Sequence, residues 1–179
     1  MAAAIESAGK KRLTGVFATG EAAERAYQAC VDRGHAIGDV NVVVSERTRK
    51  ELRTDGDPVK AEIAERKAEG GELGGPTGGR VGILVTIFAA VGTAVALPTL
   101  GFIAGPVAIA LAAAGTAGAT AGLVALLSDW GIPPEELDRY TNDIRKGAIL
   151  VAVQPRSDGE AQELAKEWKA LGGRDVRYH

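Results

Sequence analysis

Ala148-Ile149-Leu150-Val151-Ala152-Val153, then Ser157-Asp158-Gly159-Glu160, then Arg174-Asp175-Val176-Arg177-Tyr178, reads as strand, helix, strand. Short β-branched runs flank a segment of helical periodicity. Ser157 and Glu160 stand at capping-box spacing, where the two side chains satisfy free backbone donors of a first helical turn. Ala161, Leu164, Ala165 and Trp168 form one apolar stripe, and Gly172-Gly173 ends the helix. The same pattern opens the chain. Leu13-Thr14-Gly15-Val16-Phe17-Ala18 precedes an Ala-rich helix, and Gly38-Asp39-Val40-Asn41-Val42-Val43-Val44 follows it. Ala22, Ala23, Ala26, Tyr27 and Cys30 share one face of that helix, and Gly34 lies just past its end. From Val16 to Val40 is 24 positions, and from Val151 to Val176 is 25. Two such units predict an α+β chain with a ferredoxin-like split βαβ-βαβ domain, an antiparallel four-stranded sheet carrying helices on one face. Residues 1–45 supply its first half and residues 148–179 its second.

Everything between is an insertion in three parts. Residues 46–80 are a charged helix and a glycine-rich joint. Asp57-Pro58 gives that helix an N-cap and a first-turn proline, with an end near Glu69. Residues 81–128 contain no Asp, Glu, Lys, Arg or His over 48 positions, although a quarter of the chain is charged. With Pro98 and the Gly101–Pro106 stretch as a breaker, this composition predicts an apolar Gly/Ala-rich helical hairpin with arms Val81–Leu97 and Pro106–Leu127. Each arm has roughly the length of a membrane crossing. Residues 129–147 form a connecting helix in which Leu137, Tyr140 and Ile144 lie on one face.

The order of a βαβ start, a Gly/Ala-rich apolar stretch, Gly131-Ile132-Pro133-Pro134-Glu135-Glu136, Tyr140 and Gly147-Ala148-Ile149-Leu150-Val151 resembles the general stress protein 17M-like family. It is also similar to glycine-zipper membrane proteins of unknown function. The likeness runs over nearly the whole chain. It implies stress association and no catalysis, and it supplies no catalytic residues.

Composition narrows the function classes. A formal net charge of −2 and the absence of a basic cluster speak against nucleic acid, whose binding draws on grouped Lys and Arg. One cysteine, Cys30, forms neither an internal disulfide nor a thiolate zinc site. On the inner face of a helix it reads as a structural thiol. His35 and His179 stand apart from carboxylates at ligand spacing, so no metal is expected. Gly70–Arg80 lacks the Lys and Ser/Thr of a phosphate loop and reads as a joint. Glu135-Glu136 and Glu21/Glu24 are acids of a first helical turn, where the macrodipole favours them. No nucleophile–base pair stands out, and neither an enzyme nor a cofactor is expected.

The candidate functional residues are therefore packing residues. Gly101, Gly105, Gly118 and Gly122 have the small-residue spacing that lets helix backbones approach closely. Leu84, Ile87 and Phe88 are the apolar contact to lipid or to a protein core. The expectation is a non-enzymatic, stress-associated protein that self-assembles or anchors to a membrane through its hairpin. The ferredoxin-like domain would be a scaffold on the cytoplasmic side. Two alternatives stay open: a soluble homo-oligomeric particle or tube with the hairpins as its buried core, and a small-ligand sensor module. The expected partner is another copy of the chain, with a lipid membrane as the second candidate and no nucleic acid.

Overall fold

The computed structural model describes residues 11–36, 39–49, 94–97, 101–105, 108, 127–128 and 130–179. In chain order these form β1 (Leu13–Phe17), α1 (Gly20–Asp32), β2 (Val40–Ser45), β3 (Ala94–Leu97) and β4 (Gly101–Ala104), then α2 (Pro134–Arg145), β5 (Ile149–Val153), α3 (Asp158–Ala170) and β6 (Arg174–Tyr178). The chain is α+β, with one antiparallel sheet in the order β3-β4-β2-β5-β1-β6. Both strand–helix–strand segments form where the sequence pattern places them. Their first strands, β1 and β5, pair over five positions from Leu13↔Val153 to Phe17↔Ile149.

Every residue of β1, β2 and β5 is buried. That is why these strands read as continuous apolar runs and not as alternating ones: both sheet faces are covered. On the first face, α1 and α3 pack over Leu13, Phe17, Val42, Val44, Ile149 and Val151. Trp168 anchors this layer. Its ring meets Phe17 edge-on at 5.7 Å, and its indole N–H donates to the Ala26 carbonyl of α1 at 3.0 Å. Gly15 provides the space, because a Cβ there would lie 2.8 Å from Trp168 Cε3. On the second face, Val16, Val43, Ile103, Leu150 and Ala152 are covered by α2 and by Ala108, Leu127, Trp130 and Ile132.

Local chemistry fixes the helix ends. Thr19 caps α1 by accepting from the Ala22 N–H, and Ser157 caps α3 by accepting from the Glu160 N–H at 3.1 Å. The return arm of the expected capping box reaches one residue further out, since Glu160 accepts from the Arg156 N–H at 2.6 Å. Pro133 and Pro134 open α2, whose N-cap has no side-chain hydrogen bond.

Of the helical hairpin expected over residues 81–128, the described parts of the first arm and of the breaker are strand, whereas Ala108 and Leu127, expected in the second arm, are helical. Ala94–Leu97, assigned to its first helical arm, is strand β3. Gly101–Ala104, assigned to the breaker, is strand β4. The pair extends the sheet from four strands to six. β4 joins β2 through Val42↔Ala104 to Ser45↔Gly101, and β3 joins β4 through Ala94↔Ala104 to Leu97↔Gly101. The physical reason is that β2 would otherwise leave a row of peptide groups unpaired beside a buried core, and β-branched Val95 and Ile103 suit a ladder. Residues 50–93, most of 106–126 and the charged helix expected at 57–69 lie outside the described residues.

Gly101 accordingly opens strand β4 and Gly105 lies just past its end, neither of them on a helix–helix face. Their φ values are +151° and +118°. A Cβ at Gly101 would fall 2.1 Å from the Val44 carbonyl oxygen, and one at Gly105 would fall 2.6 Å from that of Val40. Backbone atoms cannot swing aside as a side chain can, so only glycine lets β4 lie this close to β2. Gly101→Ala should therefore cost at least about 2 kcal/mol from strain and overlap together. Gly159→Ala, in α3, where a Cβ meets only Ser157 Oγ at 3.8 Å, should gain about 0.4–1 kcal/mol. Urea unfolding of the two variants beside the parent checks both signs, and a neutral Gly101→Ala would refute the close approach.

Candidate functional site

Two polar clusters stand out among the described residues, one at each face of the sheet. The first joins α1 to α3. Arg156, just before α3, donates Nη1 to the Arg33 carbonyl at 2.9 Å and Nη2 to the Gly34 carbonyl, capping the C-terminal end of α1. Arg33 in turn pairs with Glu167 at 2.7 Å and donates to the Ala29 carbonyl. His35 Nε2 lies 3.2 Å from Glu160 Oε1, with both side chains largely removed from water. Two guanidinium groups, an imidazole and two carboxylates thus hold the C-terminal end of α1 to α3.

Cys30 lies beneath this cluster, fully buried, with its Sγ donating to the Ala26 carbonyl at 3.5 Å. Burial pushes its thiol up to about 12, and Glu160 and Glu167 add to the rise against the opposing effect of Arg33. A thiol held protonated in this way is neither a nucleophile nor a metal ligand at neutral pH. Tyr27 is raised as well, again mainly by burial.

The second cluster ties α2 and the turn before it to β6. Arg177 Nη1 lies 2.8 Å from Glu136 Oε1, and Arg139 bridges Glu136 at 3.4 Å and Asp175 at 2.9 Å. Tyr140 donates its hydroxyl to the Asp175 carbonyl, and its own proton is held more tightly, chiefly by burial. Asp175 has φ +49° beside the irregularity in the β1–β6 register, so the strand bends at the residue that receives Arg139. Beyond Tyr178, His179 continues the ladder through two backbone bonds with Arg12, at 3.0 and 2.9 Å. The His179 ring lies against Gly131, with Nε2 3.3 Å from Thr14 Oγ1. Burial lowers its pKa from 6.5; Arg177 lowers it further, while Glu136 opposes the shift. Arg12 is buried and sits over the ring of Trp130 at 5.8 Å.

Of the candidate packing residues, the structure places only Gly101 and Gly105, at the start of β4 and just past its end. Gly118, Gly122, Leu84, Ile87 and Phe88 lie outside the described residues. Among the described residues no three His, Cys, Asp or Glu side chains come together in a way that could hold a metal ion. Sequence reasoning missed the β6 cluster. It took Glu136 as an ordinary first-turn acid, whereas two arginines grip it. The usable signal was the composition of residues 174–179, in which charge recurs along a strand that edges a sheet.

The burial of Cys30 has a direct chemical consequence. At pH 8 the folded protein should alkylate roughly a thousand-fold more slowly than an exposed thiol of pKa about 8.5, and urea should remove the difference. Mass-spectrometric timing of iodoacetamide addition measures this, and rapid labelling of the native chain would refute the buried, protonated thiol. No protein-family profile matches the chain, and no curated protein and no solved structure matches it.

Proposed function

We propose that the chain is a non-enzymatic, self-assembling scaffold whose apolar insertion associates with other copies of itself. The carrying observation concerns where the uncharged stretch is tethered. Ala108 and Leu127 are both fully buried in the core cluster of the second sheet face, so both ends of the 18 residues between them are held at that face. A chain tethered in this way is too short for two helical crossings of a bilayer at about 20 residues each. Upstream, β3 takes residues 94–97 into the sheet, leaving 13 uncharged residues, 81–93, before it. As a helix these would extend roughly 20 Å, short of the roughly 30 Å hydrocarbon core. The described residues contain no helix long and apolar enough to cross a membrane. An uncharged segment of this size needs a covering surface, and self-association provides one.

Two further observations support the scaffold part of the reading. Strand order β2-β5-β1-β6, with helices joining β1 to β2 and β5 to β6, fits a ferredoxin-like frame. The frame closes where the insertion departs and returns, because Thr48 Oγ1 donates to the Gly147 carbonyl at 3.3 Å and Ser45 caps the turn holding Thr48. The polar clusters described above join structural elements, and this reading assigns no catalytic step to them. A stress-associated role rests on the resemblance of the Gly131–Glu136 segment and its surroundings alone.

Light scattering after size exclusion, combined with an alkaline carbonate wash of cell membranes, tests the proposal. The expected outcome is a single large species recovered without detergent, shifted to smaller mass by Gly118→Leu. Retention in the washed membrane pellet, or a monomer at micromolar concentration, would overturn self-assembly.

A further inference from the structure

We draw no further inference here: the strongest candidate, the outer edge of strand β3, an uncharged strand with which the six-stranded sheet ends, carries nothing because nothing in the structure shows what covers it.

Discussion

Strand β5 is the constraint on which the rest depends. It lies between β1 and β2, and all five of its residues are buried from both sides. Its peptide groups are satisfied by two antiparallel ladders, and its side chains alternate between two cores: Ile149, Val151 and Val153 in one, Leu150 and Ala152 in the other. A strand without a solvent-facing side dictates a layer of cover on each face. The two strand–helix–strand units supply the first layer. The second is assembled from the insertion, which makes the insertion part of the domain and not an appendage to it.

The two layers meet this demand differently. Between the sheet and the layer of α1 and α3 the contact is apolar, locked by the Phe17–Trp168 pair and by the Trp168 hydrogen bond from α3 to Ala26 of α1. The polar groups His35, Glu160, Arg33 and Arg156 sit at its border, where they close helix ends. On the α2 side Leu137, Tyr140 and Ile144 pack on the sheet, and charged groups add an attachment at its edge. Their partners lie on β6, whose burial pattern is the most exposed of the strands for which burial is described. Ion pairs of this kind contribute little when water reaches them, so the apolar contact carries most of the attachment.

How much of this was legible follows from residue periodicity. Strands β1, β2, β5 and β6 and helices α1, α2 and α3 announce themselves through β-branched runs, apolar stripes, capping residues and terminal glycines. Ser157 with Glu160, Leu137 with Tyr140 and Ile144, and the 24- and 25-residue spacings all carried real information. β3 and β4 did not, because Ala94–Leu97 and Gly101–Ala104 carry no polar residue that would mark an alternation. An uninterrupted apolar run looks the same to periodicity whether it is strand or helix. The glycines at 101 and 105 had a meaning that only the partner strand reveals, namely backbone approach to Val44 and Val40. The β6 cluster was hidden for another reason: Glu136 and Arg177 are 41 positions apart, and sequence spacing within one helix says nothing of a partner on a distant edge.

The paired tethers at Ala108 and Leu127 bear on how such a chain changes over evolutionary time. Because both residues stand in one cluster, both ends of the stretch 109–126 are anchored at the second sheet face. The entropy of closing a flexible loop rises only with the logarithm of its length, about 0.6 kcal/mol for each doubling. Insertions and deletions between those two anchors therefore act on the frame only weakly. The same segment can drift in length and composition under whatever selection its own contacts impose, while the sheet beneath keeps its register.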